Sequence, residues 1–299
     1  MINNNNQIAY QHVDVFSPEP FCGNSLSVFP DSRGLTSSQM LTITQEMRHF
    51  ESIFLEPTSD KHTVRARIYD LIEELDFAGH PIIGAACVLH KRSGSLNKEI
   101  WTFILNKKSV NVSTEKTPGG YRAFQNQGRP EFLDELPPTR FDEFASALNL
   151  SINDMSAKYT PMVVSTGLHY LVFPIESGIE HAGIIHPQFA ALLATVHAQF
   201  AYVLDVNNLE GRHWNNDGII EDIATGSAAG TVGAYLTKHG RVKANEEFIL
   251  HQGRFTGRPG RMFVRGEGSQ NDIINVSVGG DVTWIGEGRI IIPMEKPNL

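Results

Sequence analysis

The stretch Glu221-Asp222-Ile223-Ala224-Thr225-Gly226-Ser227-Ala228-Ala229-Gly230 combines acidic, small and polar residues immediately before an apolar segment. It predicts a tight turn that leads into a helix, in which Gly226 can take a backbone conformation that other residues resist. The first N–H groups of a helix have no partner within the helix, so they form a binding site for an anion. We therefore expect this stretch to bind a negatively charged group of a ligand.

A second stretch, Glu74-Leu75-Asp76-Phe77-Ala78-Gly79-His80-Pro81, repeats this design earlier in the chain. Three residue pairs share one offset of 147 positions (221 − 74, 226 − 79, 227 − 80), namely Glu74 with Glu221, Gly79 with Gly226, and His80 with Ser227. Two such loops at a constant offset indicate a duplicated half-chain. We expect a ligand site between the two halves.

Composition limits the classes of function. The chain has 299 residues, of which 41% are hydrophobic and 19% charged, and this is enough for two domains of ordinary size. The net charge is −8 and no basic run is present, which argues against nucleic acid or an anionic membrane as the main partner. The histidines lack metal-ligand spacing, and the glycine-rich phosphate-binding motifs are absent, so we expect neither a metal nor a nucleotide cofactor.

The ends and the cysteines bear on the cellular compartment. The N-terminal segment Met1–Gln7 is polar, so we expect it to be frayed and not to act as a signal peptide. The longest nearly apolar run, Pro81–Leu89, is too short to span a bilayer. Cys22 and Cys87 lie far apart and make no disulfide framework. A cytoplasmic protein is the expectation.

Hydrophobic periodicity predicts the fold class. Long apolar helices are predicted from Ile82 to Lys91 and from Ser227 to His239, and strand-rich sequence surrounds each of them. This pattern predicts an α+β fold with two sheets, each wrapped around one central helix. A loop-rich passage near Gly128 marks the crossover, so we expect domains at residues 1–128 and 129–299, with a final strand that could cross back.

Five further segments are predicted from composition and pattern. They are a loop-rich passage at Gly128–Pro138, a helix at Pro187–His197, a polar loop at Asn207–Gly218, and the last two of four closing strands, at Ile273–Val278 and Val282–Ile285.

Glu51 is a candidate acid/base. It lies where a predicted helix that runs to about Met47 gives way to the predicted strand Phe50–Leu55. Apolar neighbours destabilise the charged form of a carboxyl group, which suits such a group to general acid/base catalysis. A strand glutamate that simply faces solvent is the alternative.

Three other polar residues of the two loops have competing interpretations. His80 could hold a carboxylate or shuttle a proton, or it could only cap its helix. Asp222 could bind an amine or position another acid, or it could stabilise a turn. Ser227 could be a nucleophile, but its surroundings are not the Gly-x-Ser-x-Gly elbow, so a cap or a ligand hydrogen bond is favoured.

The two loops resemble the hallmark loops of the PhzF (phenazine biosynthesis-like) family. Further matches run along most of the chain: Asp14-Val15-Phe16 with Gly23-Asn24, Glu51-Ser52-x-Phe54, Gln252-Gly253…Gly257-Arg258-Pro259, and Val278-Gly279-Gly280. The resemblance implies a diaminopimelate-epimerase-like fold of two pseudo-symmetric domains, each a mostly antiparallel sheet around a central helix. It also implies a homodimer that needs no cofactor.

The resemblance further implies an isomerase that moves a proton on a small carboxylate, as the phenazine enzyme does on trans-2,3-dihydro-3-hydroxyanthranilate. Glu51 would be the acid/base, with His80, Asp222 and Ser227 holding polar groups of the substrate and assisting. Gly79, Thr225 and Gly226, at the two helix starts, would contact the substrate.

One departure from related epimerases matters for the mechanism. Those enzymes place a cysteine before each loop glycine, whereas this chain has Ala78 and Thr225, so a two-cysteine racemisation is not available. Two other classes stay open from the sequence: a non-catalytic binding or scaffold protein with a retained cleft, and a serine hydrolase that uses Ser227.

Overall fold

The computed structural model describes residues 6–294, so Met1–Asn5 of the predicted frayed segment lie outside the described residues, and Gln7 begins the first strand. The chain packs as two compact units. Unit 1 comprises the described residues up to Gln125 together with those from Gly279 onward, and unit 2 comprises Asn126–Val278. The division into domains 1–128 and 129–299 stays a prediction.

Residues 6–126 form eight strands and two helices. The strands are β1 (Gln7–Val15), β2 (Asn24–Phe29), β3 (Glu51–Pro57), β4 (Thr63–Tyr69), β5 (Glu74–Leu75), β6 (Glu99–Ile104), β7 (Ser109–Thr117) and β8 (Gly120–Asn126). The helices are α1 (Ser37–Met47) and α2 (Gly79–Ser93).

The remaining part supplies eight strands and three helices. The strands are β9 (Glu131–Glu135), β10 (Met162–Ser165), β11 (His169–Ile175), β12 (Phe200–Asp205), β13 (Glu210–Arg212), β14 (Phe248–Gln252), β15 (Gly260–Ser269) and β16 (Asp272–Ile291). The helices are α3 (Phe141–Ala147), α4 (Phe189–Ala194) and α5 (Gly226–Lys238), and single 3₁₀ turns lie at Pro138–Arg140, Ile152–Asp154 and Arg254–Thr256.

Unit 1 is a closed ring of strands in the order β1-β2-β3-β4-β6-β7-β8-β16, because β16 also pairs with β1. Helix α2 packs against five of these strands, and every residue from His80 to His90 is buried. Gly84 allows this close packing, since a Cβ at that position would collide with side chains of Leu26 and Val15. The helix ends at Gly94, which has the left-handed backbone that glycine favours.

Unit 2 repeats this plan around α5, whose residues from Ala228 to Thr237 are buried. Its strands follow the order β16-β15-β14-β13-β12-β11-β10-β9. The parallel pairs β2–β3 and β4–β6 of unit 1 have counterparts in the parallel pairs β11–β12 and β13–β14. The predicted α+β fold, with two similar halves that each surround a central helix, is confirmed.

Several predicted elements need correction. The two predicted closing strands form the single strand β16, and Gly279 and Gly280 mark no turn. Glycine is needed at both positions because a Cβ at Gly279 would collide with the ring of Phe124, and a Cβ at Gly280 with the ring of Phe16. The predicted helix at Pro187–His197 is only the six-residue α4.

Two strands lie where loops are predicted. β9 falls within the loop-rich passage, and β13 falls within the polar loop Asn207–Gly218. All three residues of β13 are buried although two of them are charged. Glu210 and Arg212 tolerate burial because each has an oppositely charged partner, Arg254 and Glu221 respectively. None of the helices formed by residues 6–294 is both long and apolar enough to cross a membrane.

Candidate active site

Glu51 and His80 are the two candidate site residues of unit 1 whose side chains lie close together. Glu51 is the first residue of β3, and His80 is the second residue of α2. His80 Nε2 lies 3.1 Å from Glu51 Oε2, and the two side chains keep 10% and 20% of their exposure respectively. The carboxylate is thus partly enclosed yet accessible to a small molecule, as an acid/base requires.

Asn24 fixes the protonation pattern of His80. Its side-chain amide nitrogen lies 3.3 Å from His80 Nδ1, and Asn24 is buried at the start of β2. With the Asn24 amide oriented so that its nitrogen faces Nδ1, Nδ1 is the acceptor and a neutral imidazole carries its proton on Nε2. The protonated nitrogen therefore faces Glu51. In the sequence, Asn24 is only part of the motif that resembles the family's N-terminal signature, and no role is predicted for it.

The start of α2 has no side-chain cap. Its N-cap residue is Ala78, which offers no side-chain acceptor, and Gly79 is the first helical residue. The N–H groups of the first turn are consequently suited to an anionic ligand. A Cβ at Gly79 would meet no atom within 4 Å, so the glycine leaves the approach to these N–H groups uncluttered.

The start of α5 in unit 2 is similarly uncapped. Thr225 is the N-cap, but its hydroxyl donates to Asp222 Oδ2 at 2.6 Å and makes no bond to the helix. Gly226 is the first residue of α5. It has right-handed helical backbone, so the wider conformational freedom of glycine is not used at this position.

Ser227 pairs with a buried tyrosine. Its hydroxyl oxygen lies 2.8 Å from the phenolic oxygen of Tyr170, in β11. Burial raises the pKa of Tyr170 well above its ordinary value, so the phenol stays protonated at neutral pH. A protonated phenol cannot act as a general base, so the contact does not activate Ser227 as a hydrolase nucleophile. Ser227 is instead a hydrogen-bonding residue on the second position of the helix.

His213 contacts both Asp222 and Tyr170 in unit 2. Its Nδ1 is 2.9 Å from the carbonyl oxygen of Ala201, and its own carbonyl accepts from the Asp222 backbone N–H at 2.9 Å. Burial lowers the pKa of His213, which is therefore neutral at pH 7. The ring packs edge-on against Tyr170, at 5.6 Å between centroids.

The two loop glutamates, Glu74 and Glu221, each bind an arginine with both carboxylate oxygens. Arg67 donates to Glu74 through Nε at 2.9 Å and also through Nη2. Arg212 donates to Glu221 through Nε at 2.9 Å and through Nη2 at 2.7 Å. Both pairs anchor a loop that leads into a central helix. The glutamates belong to the sequence repeat, but the arginines that bind them do not share its offset.

The repeat also extends upstream of the glutamates. Asp70 accepts from the N–H of Ile72 at 2.7 Å, and Asp217 accepts from the N–H of Ile219 at 2.9 Å. These residues keep the offset of 147 positions (217 − 70, 219 − 72), and both isoleucines are 79% exposed. The duplicated unit is therefore a longer loop than the sequence comparison alone indicates.

The structure thus groups the predicted residues into two sets. Unit 1 brings together Glu51, Gly79 and His80. Unit 2 brings together Asp222, Thr225, Gly226 and Ser227. Across the described part of the chain, no group of three or more His, Cys, Asp or Glu side chains is placed to hold a metal ion.

This chain matches one family model and is similar to three known proteins that are described below. The model of the family described as "Phenazine biosynthesis-like protein" matches residues 13–288. The trans-2,3-dihydro-3-hydroxyanthranilate isomerase of Pseudomonas aeruginosa is 28% identical over 296 residues, which cover 94% of this chain and 98% of that protein. An uncharacterized isomerase of Pasteurella multocida is 31% identical over 291 residues, covering 95% of this chain and 94% of the relative.

A solved structure gives higher identity. It is described as a predicted epimerase from Pseudomonas aeruginosa, and it is 42% identical to this chain with a TM-score of 0.86. The match covers 95% of this chain and 99% of that one.

Proposed function

The chain belongs to the phenazine biosynthesis-like (PhzC-PhzF) family and is an isomerase, and from this premise we propose that Glu51 is its general acid/base. The substrate we propose is a small carboxylate that also carries an amino or hydroxyl group. The reaction needs no cofactor: a proton leaves one carbon of the substrate and returns at another. The 3.1 Å approach of His80 Nε2 to Glu51 Oε2 is the observation that carries this proposal.

The pair has the features that a proton shuttle needs. Removal of a proton from carbon leaves negative charge on the substrate, and the Glu51 carboxyl group then holds the proton until it returns. The Nε2–H group of His80 stabilises the carboxylate form of Glu51 before the transfer. Asn24 keeps the imidazole in the tautomer that presents this proton.

Each uncapped helix start, at Gly79 in unit 1 and at Gly226 in unit 2, is a proposed contact for a carboxylate. Neither N-cap residue donates or accepts a side-chain bond to its helix, so the first N–H groups are available to an anion. Asp222 and Ser227 are the proposed partners of the amino or hydroxyl group, since a carboxylate accepts from such groups and a hydroxyl can do either.

A single base fits the asymmetry of the two halves. Glu51 begins β3, the strand that follows α1, whereas the strand that follows α4 in unit 2 begins with Phe200. Phe200 cannot accept a proton. Ala78 and Thr225 replace the cysteines of the related epimerases, so we propose that one carboxyl group both removes and returns the proton.

Deuterium wash-in tests the proposal. The enzyme is incubated in heavy water with trans-2,3-dihydro-3-hydroxyanthranilate and with a panel of small amino and hydroxy acids, and carbon-bound deuterium is measured by mass spectrometry. Glu51→Gln should abolish incorporation, because an amide cannot take the proton. Glu56→Gln on the same strand is the matched control and should keep wild-type incorporation.

The outcomes separate the competing functions. Normal incorporation by Glu51→Gln would rule out Glu51 as the base. No incorporation by the wild-type protein across the whole panel, combined with saturable binding of a panel member, would favour a non-catalytic binding protein. Covalent labelling of Ser227 by an organophosphonate would support the hydrolase alternative. The family resemblance also leads us to propose a homodimer, which sedimentation equilibrium would test.

A further inference from the structure

Gln252, the last residue of β14, makes four hydrogen bonds with its buried side-chain amide. Its nitrogen donates to the Asp222 backbone oxygen and to Thr225 Oγ1, each at 2.9 Å. Its oxygen accepts from the Thr225 backbone N–H at 3.1 Å and from the Tyr202 hydroxyl at 3.0 Å. An amide has two donors and two acceptor positions, so this side chain is fully satisfied.

Three of these four bonds go to the segment that carries Asp222. They hold its backbone at both ends, at the Asp222 carbonyl and at the Thr225 N–H. Tyr202 fixes the amide from the other side, and burial raises the pKa of Tyr202 well above its ordinary value, which keeps the phenol as a donor. The orientation of the Gln252 amide is therefore dictated by its surroundings.

The bonds also impose a direction on the Thr225 hydroxyl. Because Thr225 Oγ1 accepts from Gln252, its single proton is available for donation to Asp222 Oδ2, at 2.6 Å. The order of donation is thus from Gln252 to Thr225 and from Thr225 to Asp222. Oδ2 of Asp222 is engaged by this relay, whereas Oδ1 has no hydrogen-bond partner among the residues that the structure describes.

We infer that Gln252 is the positioning residue of the site half in unit 2: acting through Thr225, it sets the orientation of the Asp222 carboxylate. Thr225 is then a link in this relay and not an acid/base, although it occupies the position of the epimerase cysteine. The inference deepens the proposed function, on which the substrate-binding role of Asp222 rests. Its structural content does not depend on any substrate.

Three substitutions separate the parts of the relay. Gln252→Met keeps the approximate size of the side chain and removes donors and acceptor together. Gln252→Glu keeps acceptor oxygens for Thr225 and Tyr202 but removes both N–H donors. Tyr202→Phe is the matched control, since it removes one bond to Gln252 and leaves the bonds to Asp222 and Thr225 in place.

Backbone hydrogen exchange at Asp222–Thr225, with crystal structures of the variants, provides the first readout. We expect Gln252→Met to accelerate exchange of the Thr225 N–H at least about tenfold, because a buried donor loses its acceptor. Gln252→Glu should keep that N–H protected but lose the contact between Thr225 Oγ1 and Asp222 Oδ2. Equal exchange in Gln252→Met and Tyr202→Phe, with the Thr225–Asp222 contact intact in both, would overturn the inference.

The pH dependence of deuterium wash-in is the second readout, and a purely structural role would not move it. Activity of Gln252→Glu should be low at neutral pH and should recover towards acid, where protonation of the introduced carboxyl group restores one donor. If the wild-type protein is inactive but the variants show the expected changes in hydrogen exchange, only the proposed function is contradicted. An active wild-type protein whose Gln252→Glu variant has an unchanged pH profile contradicts the positioning role.

Discussion

Arg212 donates hydrogen bonds to both carboxylate oxygens of Glu221, and Arg67 does the same to Glu74. Each arginine is followed two positions later by an aromatic residue, Trp214 and Tyr69 respectively. In both halves the aromatic residue pairs with the glutamate across the strands, as Trp214 with Glu221 and Tyr69 with Glu74. Each guanidinium also lies over its aromatic ring, at 4.7 Å and 5.4 Å from the centroid. The two halves thus share one device that anchors the loop before the central helix.

Arg212→Lys should destabilise the protein although it keeps the charge. Lysine cannot supply the planar fork that binds both oxygens of Glu221, and it would also lose the bonds to the carbonyls of Ile179 and Ala182. We expect the free energy of unfolding to fall by about 2 kcal/mol, measured by urea denaturation. Arg33→Lys is the control, because its bidentate pair with Asp31 is exposed, and a loss above about 1 kcal/mol there would contradict the argument.

The Arg67–Glu74 pair should make stability depend on pH in the acid range. Hydrogen bonds from Arg67 lower the pKa of Glu74 from 4.5 to about 2 in the folded protein. A carboxyl group with a depressed pKa stabilises the fold above its unfolded pKa, and this stabilisation is lost as pH falls from about 4.5 towards 2.

Glu74→Gln should therefore flatten the fall in unfolding free energy between pH 5 and pH 2, by an amount on the order of 1 kcal/mol after solvent screening. Glu56→Gln should leave the slope unchanged, since Glu56 forms no ion pair within residues 6–294. Identical slopes for Glu74→Gln and the wild type would show that the pair is not formed in solution.

Asn24→Asp should disturb the proposed chemistry with little change of shape. The new carboxylate would accept a proton from His80 Nδ1, so the tautomer that presents Nε2–H to Glu51 would lose its support. We expect deuterium wash-in to fall on the order of 10- to 100-fold, and ¹⁵N NMR of the imidazole to show Nδ1 protonated. Asn111→Asp is the control, because only the side-chain oxygen of Asn111 is used, by Thr102. An unchanged ¹⁵N spectrum for Asn24→Asp would contradict the tautomer assignment.

Gly84→Ala tests the packing of α2 inside unit 1. The added Cβ would collide with Leu26 and Val15, and overpacking a core of this kind costs about 1–3 kcal/mol. Alanine has the better helix propensity by about 1 kcal/mol, so we expect a net loss of up to about 2 kcal/mol. Gly286→Ala meets no atom within 4 Å and should be nearly neutral. A stabilised Gly84→Ala variant would mean that the surrounding side chains adapt freely.

The repeat explains why the sequence predicts the two similar halves of the fold and the candidate site residues at the helix starts. Gly79, His80, Gly226 and Ser227 are close to the helix starts in sequence, so local pattern is sufficient to place them. The approach of Glu51 to His80 is a tertiary contact, and only the family resemblance leads to it. Their roles as site residues stay a prediction.

Other residues are beyond the reach of local pattern because their partners are distant in sequence. Gln252 contacts Thr225 across 27 positions, and Tyr170 contacts Ser227 across 57. β13 is missed for a related reason, since its charged residues are buried only because partners elsewhere neutralise them. An Arg-x-aromatic pattern before each loop glutamate is the one sequence signal that could have indicated the anchoring pairs. The two arginines are offset by 145 positions (212 − 67) and the two glutamates by 147, so the arginines do not align in the repeat.

The pairing of β1 with β16 bears on how the chain acquires its structure. Asn6 and Ile292, at the edge of this pairing, are 286 positions apart, so the ring of unit 1 closes only after Ile292 has left the ribosome. Closing so long a loop is entropically costly, and such non-local pairing is slow. Unit 2 is one uninterrupted segment and can assemble during synthesis, whereas α2 must wait for the last strand to complete the wall around it.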